Sequence, residues 1–333
     1  MNNKFQFLMV KEFKQFFDLK DEECVLILKK SIYPNPLEIK NASEVAAYGN
    51  WKEIYFIDFD FSKNTISLLK NDILFHKKVT RILKGYERID NLVFGNYKNI
   101  GYRTLQVKYK NIQSYYLDEG NSTVLFYHSR LSKWNLINNI NFFTLTRLLT
   151  GFVVKPPSKV NFFTNYNLQS NHNTTIIKFE YTRSLSNIEV DKGVVYFAGM
   201  PLVELNFIDK ELYWQLMINV KKHFPNHEIF YLPHRSEYIF SENDFKEIGI
   251  NLLKNEIPFE LFLMQQNKVP EIIASFWSTV LNSYNIFKDH ANYNAFYINP
   301  KILKNHIEID IQKHYDYYKD NFDEKYFKIV YDY

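Results

Sequence analysis

The chain carries a single cysteine, Cys24, among 333 residues, so no intrachain disulfide can form. Its setting in the apolar run Cys24-Val25-Leu26-Ile27-Leu28 marks it as a buried strand residue, and such usage points to a reducing compartment. Glycine is scarce as well. The nine present form neither Gly-x-Gly-x-x-Gly nor Gly-x-x-x-x-Gly-Lys, which argues against a standard dinucleotide or P-loop phosphate cradle, and no Gly-x-Ser-x-Gly hydrolase elbow occurs. No stretch approaches the roughly 20 apolar residues of a membrane span. The start, Met1-Asn2-Asn3-Lys4-Phe5, lacks the apolar core of a signal peptide. The expected location is the cytoplasm, which leaves peripheral contact with an inner membrane open.

Metal-ligand spacing is missing too. His223 and His227 lie four apart, but Pro225 between them breaks the helix that would present both on one face, and His128 and His290 have no ligand spacing. No metal site is expected. Charge of one sign is not in excess: 41 Lys and Arg against 37 Asp and Glu leave +4, which suits an anionic ligand or surface without calling for nucleic acid. The most basic stretch, Lys77-Lys78-Val79-Thr80-Arg81-Ile82-Leu83-Lys84, spaces its apolar residues as an amphipathic helix with a solvated basic face.

What is present is 46% hydrophobic and 18% aromatic, enough to fold, over a length that favours two domains of roughly 150 residues. Strand-like and helix-like segments alternate, as in a parallel α/β sheet. Phe5–Val10 and Cys24–Leu28 read as strands around a helical Lys11–Phe17, and Glu53–Ile57, Asn91–Phe94 and Ile112–Leu117 as further strands. Between 151 and 190, Pro156-Pro157-Ser158 and the polar run Gln169–Thr175 interrupt the pattern, as a linker and crossover would.

A second α/β domain is expected over 191–301. It has a strand Gly193–Gly199, a helix capped by Asp209 and ended at Pro225, and a strand Glu228–Leu232 that runs into Pro233-His234-Arg235. The strand Glu271–Ser275 leads through Phe276-Trp277-Ser278-Thr279 into an apolar helix near Val280. Residues 302–333 read as a terminal helix that packs back on the first domain, which spans 1–150.

The stretch Asp118-Glu119-Gly120 stands just past the carboxyl end of a strand, where ligands bind in open α/β sheets. Taken alone it is also a good solvated turn. Taken in order with Pro233-His234-Arg235 and Ser278-Thr279, it resembles the bacterial sialyltransferases, closest to the lipooligosaccharide sialyltransferase and polysialyltransferase groups. Their motifs are two acids then glycine, histidine usually followed by proline, and serine followed by serine or threonine. Ala198-Gly199-Met200-Pro201-Leu202-Val203-Glu204, Tyr231–Glu237, Pro258-Phe259-Glu260 and Ile273–Thr279 add to the likeness, which covers 193–285 well and the first domain mainly at the acids. Arg235 departs from the pattern, standing where proline is commonest.

The resemblance implies two Rossmann-like lobes facing a cleft, of the GT-B glycosyltransferase type, with CMP on the second lobe, the acceptor near the first and no metal or other cofactor. It implies transfer of sialic acid from CMP-sialic acid, with inversion, to an acceptor oligosaccharide or glycolipid. Glu119 would be the base, with Asp118 the close alternative. His234 would serve the departing phosphate, Ser278 and Thr279 would hold its oxygens, and Arg235 would add a phosphate contact beside Pro233 and Gly199. Glu260 falls where the family places an acid on the ribose. Two alternatives stand beside this reading: transfer of pseudaminic or legionaminic acid from its CMP donor, and a glycan-binding protein without catalysis.

Overall fold

The computed structural model describes residues 4–31, 50–60, 65–97, 99–131, 142–180, 188–234, 236–255, 257, 259–266, 268–304 and 308–333. The chain divides into two compact units, Met1–Thr182 and Arg183–Tyr333.

In the first unit β1 (Val25–Ser31) pairs in parallel with β2 (Glu53–Phe59). A second parallel sheet holds β3 (Asn91–Phe94), β4 (Gln113–Leu117), β5 (Val160–Thr164) and β6 (Thr174–Lys178), side by side in chain order. Right-handed crossovers between strands in that order put their connecting helices on one face. Accordingly, Leu105 of the helix Ile100–Lys108 and Phe126 of the helix Asn121–Leu131 share one core with Phe94, Tyr116 and Phe162. The alternate side chains Tyr115 and Phe163 point to the other face, where each meets the Phe13 ring with centroids 5.1 Å apart.

Phe13 belongs to a helix, Lys4–Phe16, that replaces the strand expected over Phe5–Val10. Gln6, Met9, Val10 and Phe13 are all buried, and their spacing lines one helix face, whereas a strand would send Met9 and Val10 to opposite sides. A second difference falls in 151–190, where β5 and β6 complete the first sheet. The polar run expected to cross between lobes makes instead the turn before β6: the Asn173 N–H donates to the Asn171 side chain, and the backbones of Asn171 and Thr174 bond each other.

The second unit is one parallel sheet of six strands: β7 (Glu189–Ala198), β8 (Glu228–Leu232), β9 (Asn251–Leu252), β10 (Lys268–Ser275), β11 (Asn292–Phe296) and β12 (Phe327–Val330). Its order is β12-β11-β10-β7-β8-β9. The chain therefore builds outward from β7 through β8 and β9, then crosses back to lay β10 on the other side of β7. That reversal is a topological switch point, and the crevice outside the carboxyl ends of the two strands there is where such sheets bind ligands.

The helix Lys210–His223 joins β7 to β8 and buries Tyr213, Met217 and Val220. Asp209 precedes it, but its side chain makes no cap bond and pairs with Lys304 at 2.5 Å. The apolar helix expected near Val280 is a 3-10 turn, Thr279–Ser283, continued by one short α-turn, Tyr284–Phe287. The terminal segment forms the helix Glu308–Asn321 and then β12, which extends the second sheet beside β11. The Tyr315 hydroxyl fastens that helix by donating to the Phe296 carbonyl and accepting from the Ile298 N–H, both at 3.0 Å.

Candidate active site

The acid motif lies at the carboxyl edge of the first unit. Gly120 turns the chain from β4 into the helix Asn121–Leu131 with a φ of +69°, a left-handed conformation open to glycine. Asp118 is fully buried. Its Oδ1 accepts from the Gly120 N–H at 2.7 Å and the Thr123 hydroxyl at 2.9 Å, while Oδ2 accepts from the Thr164 hydroxyl at 2.7 Å. Burial pushes its pKa up to about 6, against the lowering effect of those bonds. Asp118 is thereby a bolt between the ends of β4 and β5.

Glu119 has a different setting. Its N–H donates to the Thr123 hydroxyl oxygen at 2.8 Å, and its half-buried side chain takes a bond from the Gln6 amide at 3.3 Å. The same Gln6 nitrogen donates to the carbonyl of Gly95, just past β3. Unlike Asp118, whose two oxygens take three bonds from the turn and β5, the Glu119 carboxylate is half-buried and bonded to a neutral amide. Near the carboxyl end of β1, Lys29 places its ammonium 4.0 Å from the Phe59 ring centre and 4.4 Å from that of Phe75. Burial lowers its pKa to about 8. Sequence reading missed this residue, because a lysine ending an apolar strand looks like an ordinary solvated end.

The remaining candidates belong to the second unit. Gly199 and Ser278 follow β7 and β10, the strands flanking the switch point, and His234 follows β8, the next strand out. The Ser275 hydroxyl donates to the Ala198 carbonyl at 2.6 Å, and the Trp277 N–H approaches the Met200 sulfur at 3.4 Å, so the two strand ends are tied together. Ser278 caps the 3-10 turn, its side chain accepting from the Val280 N–H at 3.3 Å, and Thr279 is exposed at the first position. Glu260 is buried on the helix Phe259–Gln266, which packs against that turn, and its charge helps raise the pKa of the Tyr293 hydroxyl, an effect that burial of the phenol leads. Burial sets it apart from a solvated helix-start charge.

Pro233 is half-buried and His234 exposed; Arg235 lies outside the described residues. The His234 ring accepts at Nδ1 from the Ser236 N–H at 3.2 Å, which places the proton of the neutral imidazole on Nε2. Beneath the turn sits Glu237, to which sequence reasoning assigned no role. Its carboxylate accepts from the His234 N–H and the Tyr231 hydroxyl, and its own N–H donates to the His234 carbonyl at 2.8 Å. A Cβ on Gly199 would overlap both the Tyr231 hydroxyl and the Glu237 carboxylate. Gly199 and His234 are thus brought into one network by a residue that gave no signal beyond its place in the run Tyr231–Glu237.

Among the described residues no group of three or more His, Cys, Asp and Glu is gathered to hold a metal ion, and no helix is long and apolar enough to cross a membrane. The chain matches no protein-family model and no curated protein. In structure it is similar to the glycotransferase of kitacinnamycin, with a TM-score of 0.51 and 8% identity over 87% of this chain and 76% of that one. It also matches the GT-B domain of a sialyltransferase from Photobacterium damselae (TM-score 0.47, 12% identity, 98% of this chain and 96% of that one). A third match is MurG of Acinetobacter baumannii (0.46, 8%, 97% and 81%). The fold is that of the GT-B glycosyltransferases, two Rossmann-like units each built on parallel sheets.

Proposed function

We propose that the protein is an inverting glycosyltransferase that moves sialic acid from CMP-sialic acid to a hydroxyl of a lipooligosaccharide or capsular glycan. The observation that carries this reading is the gathering of Gly199, Ser278 and the His234 turn at neighbouring strand ends about the switch point of the second unit. The sialyl class rests on the ordered motifs of the sequence. Glu119 removes the acceptor hydroxyl proton as that oxygen attacks the anomeric carbon. The bond from that carbon to the CMP phosphate oxygen breaks with its electron pair going to the phosphate, and His234, through Nε2–H, donates to the leaving group. Ser278 and Thr279 hold phosphate oxygens, with Arg235 adding charge, and Glu260 takes the ribose hydroxyls. No metal enters this scheme. A related nonulosonic acid, pseudaminic or legionaminic, would use the same chemistry.

Calorimetric titration with CMP, with UMP and GDP as controls and EDTA present, tests the reading. Selective CMP binding supports it and directs donor screening with CMP-activated sugars. Absence of binding to any of the three overturns it and favours a glycan-binding protein.

A further inference from the structure

Glu237, to which the motif reading gave no role, takes bonds from three partners around the His234 turn. Glu237 holds both backbone polar groups of His234: its carboxylate accepts the His234 N–H and its N–H donates to the His234 carbonyl. The other carboxylate oxygen is fastened from below by the Tyr231 hydroxyl at 2.5 Å and, more loosely, by that of Tyr213 at 3.3 Å. These phenols come from β8 and from the helix Lys210–His223, both rigid elements, and their oxygens lie 2.5 Å from each other. Gly199 supplies the space, since any side chain there would collide with the carboxylate. The exposed His234 is thereby tied to the sheet through one carboxylate.

We infer that Glu237 is a positioning residue that fixes the turn bearing His234, and so the direction of its Nε2–H, for the leaving group; this rests on the function proposed above. A clamp made only for stability would be cheaper without an acid: burying a carboxylate among phenols is unfavourable unless its bonds are needed. The groups facing it are Tyr231 from β8, Tyr213 from the helix behind, Glu204 from the turn after β7, and the His234 backbone. Glu204 itself holds the next part of the loop, accepting from the N–H groups of Tyr238 and Ile239 at 2.9 and 3.2 Å. Burial, with Glu204 adding repulsion, raises the Glu237 pKa to about 7. The clamp therefore changes charge near neutrality without losing every acceptor site.

The test compares Glu237→Ala and Glu237→Gln in the full chain by hydrogen exchange over residues 230–240 and by donor turnover across pH 5–9. Alanine is expected to speed exchange at the His234 turn by about tenfold or more, the loss of one good hydrogen bond. It should lower kcat by about 10- to 100-fold while KM for the CMP-sugar moves less than about threefold. Glutamine, which keeps an acceptor for the His234 N–H, should restore most of the protection and rate but remove the inflection near pH 7. Unchanged exchange in Glu237→Ala overturns the inference, as does a loss of kcat that leaves exchange untouched. If the wild-type chain binds no CMP, the proposed function fails while the exchange comparison still decides whether Glu237 orders the turn. If alanine prevents folding, glutamine with wild-type exchange and an unaltered pH profile overturns it.

Discussion

Asp118 and Glu119 are consecutive, yet the Thr123 hydroxyl gives them different settings: it donates to the carboxylate of Asp118 and accepts from the backbone N–H of Glu119. The first acid is thereby spent on holding the turn. The second is delivered by that turn with its side chain half-buried and bonded to Gln6.

Glu119→Gln should accordingly lower turnover by about 10²- to 10⁴-fold, the usual worth of a positioned general base. CMP affinity should stay within about twofold, since the acid and the nucleotide-side residues belong to different units. Single-turnover kinetics beside calorimetry would check this, and a parallel fall in affinity would contradict the assignment.

Asp118→Ala should instead cost stability, about 2–4 kcal/mol, because the Gly120 N–H and the hydroxyls of Thr123 and Thr164 lose their acceptor. The pH dependence has a definite sign. A folded pKa of about 6, above the ordinary 3.8, means that the stabilisation is complete below pH 3.8 and is lost as pH rises through 6. The stability difference between wild type and Asp118→Asn, followed by thermal melts, should shrink across that window by on the order of 3 kcal/mol.

Lys29 gives the opposite slope. Its pKa is depressed to about 8 from 10.5, so the unfolded chain binds the proton more tightly and stability rises as pH climbs from 8 to 10.5. Lys29→Met, which keeps the contact with Phe59 and Phe75, should be the more stable protein at pH 7 and should lose that rise. Melting curves at pH 7 and 10 compare the two directly.

Gly199→Ala should destabilise the second unit by about 1–3 kcal/mol, because the added methyl drives into the Tyr231 hydroxyl and the Glu237 carboxylate. Combined with Glu237→Ala it should cost less than the sum of the two single changes, since the second substitution removes part of the obstacle. A double-mutant cycle on denaturant midpoints measures that coupling.

The strands β3 and β8 stand where hydrophobic runs bounded by polar residues place them, Asn91–Phe94 and Glu228–Leu232. The helix Lys4–Phe16 was not legible, because Phe5-Gln6-Phe7 alternates like a strand and the helix is buried on more than one side, Phe7 against Leu26 and Leu28 and Phe13 against Tyr115 and Phe163, which blurs its period. β6 was hidden by its own composition, a short half-exposed strand behind a polar turn. In the site, motif order picked out residues at strand ends, since short turns after strands leave local traces. The burial and bonding of Asp118 depend partly on Thr164, and the setting of Glu237 under His234 depends on Tyr213 and Gly199. Such partners are distant in sequence and carry no local mark.

The helix Lys4–Phe16 has one more consequence, in the order of events on the ribosome. Phe7 packs on Leu26 and Leu28 of β1, Phe13 meets Tyr115 and Phe163 of the second sheet, and Gln6 reaches Glu119 across a sequence separation of 113. The Phe13 side of this helix, made ahead of that sheet, therefore waits uncovered until β4 and β5 have emerged. A nascent chain cannot hold Glu119 in its final setting before the sheet exists to dock that helix. A segment made ahead of the sheet it docks on is thus among the last of its unit to settle, which makes it a natural handle for a chaperone.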